Sequence, residues 1–418
     1  MPGRLVRLAG AVALVVASVV AGAAASLGSA MLIVAPPAFL AAGWIVLAAG
    51  TVLASRVARA GRTVATVAVV AVTGVGGAFV AVPLGDAART PADVPGMRSA
   101  ELSTGSRLAH VRVPPDGPVS GDPIVFLHGG PGVADMRGDL DFFASLAETG
   151  REVILYDQVG AGHSERLDDP TAYTLERDRA DLEALLEELG VGRAVLIGHS
   201  YGGTLAAAFA AEHPDRVSGL VFLAPGAVRE HPRAYGTGMV DRLTPQQRNA
   251  LNGLLFQPRS LFGWLLTQAN PRAAHAFAGD REMDARYDRI YEASLPGLFC
   301  RVPPAEGDPP RGLGSYTNAM VRRVPDLRPA LAGVTAPAIV IKPQCDYLPW
   351  TFGTDLVDAL PDADLVYLRG AGHSLYVERR EEVRSLIQAF LADEELPIPP
   401  VSDLTPPPDL DGPTGIEP

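Results

Sequence analysis

From Leu8 to Ser55 the chain runs for 48 residues without a charged side chain, and from Thr63 to Gly85 for another 23. A membrane span needs about 20 apolar residues, so the first stretch has room for two helices and the second for one. Pro36-Pro37 punctuates the longer stretch where a turn is needed. The pattern predicts a membrane segment over residues 1–85, with spans at 8–34, 38–54 and 64–84. After a polar linker at 86–99, short branched runs suited to buried strands appear at Ile124–Leu127, Val153–Tyr156, Ala194–Ile197, Leu220–Leu223, Ala338–Ile341 and Leu365–Leu368. Helical patterns alternate with them. Over Tyr173–Leu189, for example, Leu175, Leu182, Leu185, Leu186 and Leu189 share one face. Such alternation predicts an α/β domain with a mostly parallel sheet flanked by helices, built from 100–226 and 331–393. Residues 227–330 lack strand runs and read as an inserted helical cap. The Pro-rich, acidic stretch 394–418 is predicted to be disordered.

Charge sharpens this division. The first 85 residues contain Arg4, Arg7, Arg56, Arg59, Arg62 and no acid, so a chain of net charge −12 carries −17 in its remainder. Arginines before the first span and between the second and third place those ends in the cytoplasm, and the third span exports the rest. The expectation is a multi-pass protein of the cell membrane with an extracytoplasmic domain. An alternative takes Arg4 and Arg7 with Leu8–Val20 as a signal peptide cleaved near Ala23-Ala24-Ala25, which still leaves two apolar stretches. With 48% hydrophobic and 20% charged residues, a disordered or nucleic-acid-binding chain is excluded. Lys342 is the sole lysine. Two cysteines, Cys300 and Cys345, rule out a disulfide framework and leave open either one bridge or two thiols. No histidine or cysteine pair has metal-ligand spacing, so neither a metal nor a cofactor is expected.

The chemistry concentrates at strand ends. Gly198-His199-Ser200-Tyr201-Gly202 matches G-x-S-x-G between a strand and a helix, where a sharp turn lifts a nucleophilic hydroxyl clear of the sheet. A serine needs a base and the base an orienting acid. In chain order, Asp346 follows the strand Ala338–Ile341 and His373 follows Leu365–Leu368, each just beyond a carboxyl end. His128-Gly129-Gly130-Pro131-Gly132 follows Ile124–Leu127, where an oxyanion loop belongs. Gly130 is the first candidate donor with Gly129 next, and the Tyr201 N–H is the second donor.

The motifs HGGPG (128–132), DQVGAGHS (157–164), GHSYGG (198–203), Asp346 and GAGH (370–373) together resemble the proline iminopeptidase-like branch of the α/β-hydrolases, over roughly 100–393. Val159 stands where those enzymes usually have Arg, and Tyr201 where they often have Trp. The resemblance implies an α/β-hydrolase fold with a helical cap, here preceded by transmembrane helices. It also implies a serine hydrolase working through an acyl-enzyme, most simply a peptidase releasing N-terminal residues or short peptides. An exopeptidase must hold a cationic α-amino group, and the resemblance assigns this to a cap Glu following paired aromatics. Tyr287-Asp288-Arg289-Ile290-Tyr291-Glu292 resembles that element, so Glu292 is the candidate, with Glu282 and Asp284 in reserve. The other readings are an esterase or lipase with the same machinery and a non-catalytic membrane scaffold. Expected partners are a peptide or small ester substrate and the lipid bilayer.

Overall fold

The structure, a computed structural model, describes residues 2–60, 62–83, 90–230, 237–301, 309–320 and 323–415. Part of the expected linker, parts of the cap and the last three residues lie outside them. The chain divides into two compact units. One comprises residues 1–87, 169–171 and 252–283, and the other 88–168, 172–251 and 284–418.

The first unit is built on three apolar helices, α1 (Pro2–Ala30), α2 (Pro36–Val57) and α3 (Arg62–Ala81). Pro36 and Pro37 sit in the first turn of α2, where the missing N–H costs nothing, so they begin this helix after the turn. Two stretches, Arg4–Ala30 and Pro36–Val57, are long and apolar enough to cross a membrane, whereas the apolar part of the third, Thr63–Ala78, is shorter. Small residues bring α1 and α2 together: a side chain at Gly22 would collide with the Gly43 carbonyl, and one at Gly43 with Ser26.

The second unit holds an eight-stranded sheet: β1 (Arg98–Glu101), β2 (Arg107–Val113), β3 (Ile124–Leu127), β4 (Val153–Tyr156), β5 (Ala194–His199), β6 (Val217–Leu223), β7 (Ala338–Cys345) and β8 (Ala363–Gly372). Their spatial order is β1-β2-β4-β3-β5-β6-β7-β8. The β1–β2 and β2–β4 pairs are antiparallel and all others parallel. Every residue of β3 is buried, as expected for a parallel strand covered on both faces. The sequence pattern had missed β1 and β2. They lie at the sheet edge and carry Arg98, Glu101, Arg107 and Arg112, so they present no apolar run, and β1 begins inside the expected linker.

In chain order the remaining helices of the chain, those of both units together, are α4 (Met136–Phe143), α5 (Leu175–Glu188), α6 (Tyr201–Glu212), α7 (Thr237–Asp241), α8 (Pro245–Leu255), α9 (Pro258–Ala269), α10 (Pro271–Phe277), α11 (Asp280–Ser294), α12 (Ser315–Ala319), α13 (Arg328–Leu331), α14 (Thr351–Ala359), α15 (Leu375–Glu378) and α16 (Arg380–Ala392). Phe142 and Phe143 of α4 and Val383, Leu386 and Ile387 of α16 pack with Ile124, Phe126, Ile197 and Ile339 in one core. Full burial of each such side chain stabilises the fold by about 1.5–3 kcal/mol.

Two expectations need correction. The cap is not one body: α9, α10 and the start of α11 belong to the unit of apolar helices. The stretch after Asp393 has no regular secondary structure, but it is held by hydrogen bonds rather than disordered. Val401 N–H donates to Leu365 O (2.8 Å), Trp350 Nε1 to Leu404 O (2.8 Å), and Trp350 N–H to Pro413 O (2.9 Å). Prolines remove donors without removing acceptors: the strap accepts two bonds from Trp350, just ahead of α14, and donates one from Val401 to β8.

Candidate active site

Four sheet strands end in the residues singled out above. β3 runs into His128–Gly132, β5 into Ser200, β7 into Asp346 and β8 into His373, all at the carboxyl edge. Ser200 adopts φ 53° and ψ −121°, a conformation that costs a non-glycine residue about 1–3 kcal/mol. The surroundings hold it there. Ser200 N–H donates to Leu223 O (3.0 Å), and its carbonyl accepts from Gly203 N–H (2.9 Å) and Gly226 N–H (2.8 Å). A side chain at Gly198 would collide with the Gly202 carbonyl, and one at Gly202 with the Leu127 carbonyl. The motif's glycines are therefore dictated by backbone packed against backbone. Tyr201 opens α6, so its N–H emerges at the helix end beside Ser200.

His373 and Asp346 are joined by a 2.8 Å hydrogen bond from Nδ1 to Oδ1, both nearly fully buried. Oδ1 also accepts from Leu348 N–H (3.1 Å), while Oδ2 takes the ammonium of Lys342. Burial opposes ionisation of Asp346, yet Lys342 and His373 together hold its carboxyl down at about 2. Burial likewise lowers the Lys342 ammonium, against the pull of Asp346. The chain's sole lysine is thus buried beside Asp346. Its singularity in the sequence was the available signal, and nothing in the local pattern tied it to the site. Tyr347 went unremarked for the same reason: its side chain hydrogen-bonds Ser200, and its ring lies 4.5 Å from that of His373.

His199 is pushed to about 3, first by burial and then by the charge of His373, so it is neutral. Its Nε2 lies 2.9 Å from the His373 carbonyl, and because a carbonyl only accepts, Nε2 carries the proton. His199, the residue before Ser200, thereby fixes the backbone of His373. His128 is also kept neutral by burial. Gln158 N–H donates to its Nε2 (2.9 Å), so its Nδ1 donates to Gly129 O (2.9 Å), while Gln158 Nε2 donates to His128 O (2.9 Å). This interlock explains why HGGPG and DQVGAGHS occur together. Gly129 faces Ser200 so closely that an added Cβ would lie 3.0 Å from the serine Cβ. Gly130 has φ 116°, a conformation that favours glycine.

Residues 122–295 match the profile of the α/β hydrolase fold family. This part of the chain has the α/β hydrolase fold. A 2-hydroxy-6-oxononadienedioate/2-hydroxy-6-oxononatrienedioate hydrolase from Burkholderia vietnamiensis is 28% identical over 64% of this chain and 86% of its own. A proline iminopeptidase from Heyndrickxia coagulans is 37% identical over 29% of this chain; the match spans 41% of that relative's length. A solved proline iminopeptidase from Mycobacterium smegmatis aligns at TM-score 0.49 and 23% identity, over 71% of this chain and 98% of the other.

The chain joins Cys300 and Cys345 in a disulfide, selecting the bridge from the two readings the sequence left open. Segment 298–301 is further clamped by Glu378, which accepts from Cys300 N–H (2.9 Å), Arg301 N–H (3.2 Å) and Gly372 N–H (2.5 Å). The bridge therefore ties a cap segment to the residue preceding Asp346. On α11, Tyr287 and Tyr291 lie near Tyr347, and burial raises all three phenols. Glu292, next along, is on the exposed side of the helix.

The two reserve carboxylates are committed elsewhere. Glu282 belongs to the unit of apolar helices, where Arg259 engages both oxygens at 2.5 and 2.8 Å. Asp284 accepts from Arg166 (3.1 Å) and Ser315 N–H (2.8 Å). With Asp288, which accepts from Leu313 N–H (3.0 Å), it secures segment 312–318. That segment in turn holds the His128–Gly132 loop: Gly314 N–H donates to Gly132 O (2.8 Å) and Asn318 Nδ2 to Pro131 O (2.8 Å). Glu282 and Asp284 are corrected from substrate ligands to structural ties, because their oxygens are already taken. Among the described residues no cluster of His, Cys, Asp and Glu is arranged to hold a metal ion.

Proposed function

We propose that this α/β-hydrolase is a membrane-anchored serine hydrolase with an extracytoplasmic catalytic unit, acting on N-terminal aminoacyl or short peptidyl amides. The observation that carries the hydrolase chemistry is the buried His373–Asp346 pair at the sheet edge that presents Ser200 on its strained turn. Ser200 Oγ attacks the substrate carbonyl while His373 Nε2 accepts its proton, and Asp346 holds the ring through Nδ1. The N–H groups of Gly130 and Tyr201 receive the developing oxyanion, with Gly129 beside them as the alternative donor. His373 then protonates the leaving amine, and water admitted to the acyl-enzyme repeats the sequence to release the acid. The peptidase reading is supported by the paired HGGPG and DQVGAGHS loops and by the partial match to the proline iminopeptidase of Heyndrickxia coagulans. Export is supported by the arginine-flanked apolar helices and by the disulfide, a bond that persists in oxidising compartments.

Ester hydrolysis is the second reading. It is favoured by the commitment of Glu282 and Asp284 to arginines, which leaves Glu292 as the remaining candidate for an α-amino group. The test is a fluorophosphonate probe, together with aminoacyl- and peptidyl-fluorophores and p-nitrophenyl esters, on detergent-solubilised enzyme. Labelling at Ser200 and its loss in Ser200→Ala are expected. Undiminished turnover by purified Ser200→Ala overturns the serine mechanism. Loss of one charge-assisted contact costs about 1.5–3 kcal/mol, so Glu292→Ala should slow free-amine substrates by about 10- to 150-fold and spare esters. Equal effects on both classes would remove the peptidase reading.

A further inference from the structure

The unit of apolar helices includes residues 252–283, and their attachments converge on one end of the helices. Asn270 Nδ2 donates to the carbonyl of Ala30, the last residue of α1 (2.8 Å). Arg259 donates to Val80 O, at the end of α3 (2.6 Å). The Phe277 ring lies 6.4 Å from that of Phe39, in the first turn of α2. α1 and α3 finish where α2 begins, so all three contacts mark the same end. Arg4, Arg7, Arg56 and Arg59 fall at the other.

At this end α9 has two faces. Arg259, Phe262, Gly263, Leu266 and Thr267 are buried. Leu261 and Trp264 face outward at 38% and 52% exposure, following Phe256 at 67%. The one charged side chain of α9, Arg259, is buried and paired with Glu282, so the outer face carries no charge. The α1–α2 turn continues the patch with Met31, Leu32, Ile33 and Val34 all exposed. Water disfavours so much contiguous apolar surface, whereas Trp and Phe suit the boundary between lipid headgroups and chains.

We infer that α9 is an interfacial membrane helix: its Phe256–Leu261–Trp264 face is seated in the lipid leaflet opposite the arginine-flanked ends, so part of the cap is bound to the bilayer surface. This rests on reading α1–α3 as membrane spans, and the bilayer is the occupant because the face continues the apolar surface of those helices. Because this face carries no charge, its insertion rests on buried apolar area rather than on attraction to anionic headgroups.

The disulfide leaves no free thiol among the described residues, so single cysteines can be introduced and labelled in the full chain. Leu261→Cys, Val67→Cys within α3 and Ser103→Cys on the catalytic unit would each carry the environment-sensitive fluorophore NBD. The proteins are reconstituted in phosphatidylcholine vesicles containing lipid with a nitroxide near the headgroup or deeper in the chain. Blue-shifted emission at Leu261→Cys, quenched more by the shallow nitroxide, is expected, with Val67→Cys quenched and Ser103→Cys unaffected. Quenching at Val67→Cys without quenching at Leu261→Cys overturns the inference and leaves the spans standing. Absence of quenching at Val67→Cys overturns the spans, and the inference with them.

Discussion

Lys342 contributes a full positive charge to a site where only its methylenes could have been guessed to fit. Its ammonium competes with His373 for Asp346 and keeps that buried carboxylate ionised. Because the folded carboxyl lies near 2, below its unfolded value, its contribution to stability is complete above the unfolded value and is lost as pH falls through about 2. Lys342→Met removes the cation and leaves burial to push Asp346 upward. The expected results are an acid edge of kcat/KM displaced to higher pH and a stability loss of about 3–5 kcal/mol, the usual cost of breaking a buried pair from one side. Rate–pH profiles and urea titrations measure the two. An unmoved acid edge would mean that Lys342 serves packing alone.

At the scale of elements, the strap after Asp393 and the segment around Cys300 brace the same loop from different chain positions. A side chain at Gly412 would collide with the Asp346 carbonyl, Asp411 N–H donates to Gln344 O (2.9 Å), and Arg369 pairs with Asp409 (2.8 Å). Trp350, 1% exposed, is capped by the strap's carbonyls. Truncation after Asp393 uncovers it and should cost about 2–4 kcal/mol from apolar exposure. A lower Tm and a reduced kcat are expected, since the acid's loop loses its backing; an unchanged kcat would confine the strap to stability. The disulfide closes a sequence separation of 45 residues, and its removal in Cys300→Ala with Cys345→Ala should cost about 2–4 kcal/mol. Denaturant midpoints compared with and without reductant test this, because only the native chain should respond to reduction.

Across the whole molecule, what could be read early is what is encoded locally. The three apolar helices needed no partner to be recognised, since length and absence of charge are read directly from the chain. Six strands appeared because a sheet covered on both faces demands continuous branched residues. The positions of Ser200, Asp346 and His373 just past strand ends were legible because the strands before them were, and the glycines around Ser200 are required because backbone meets backbone there. Tertiary structure decided the rest. Edge strands β1 and β2 carry mixed side chains, and it is pairing with neighbours that makes them strands. The strap is ordered because Trp350 and Val401 find distant partners, which composition does not encode. Lys342 meets Asp346, and His128 meets Gln158, because the folded sheet brings separate loops within hydrogen-bond reach. The cap divides for the same reason: Arg259 and Asn270 bond to carbonyls about 180 and 240 positions away, and those contacts exist only once the chain has closed.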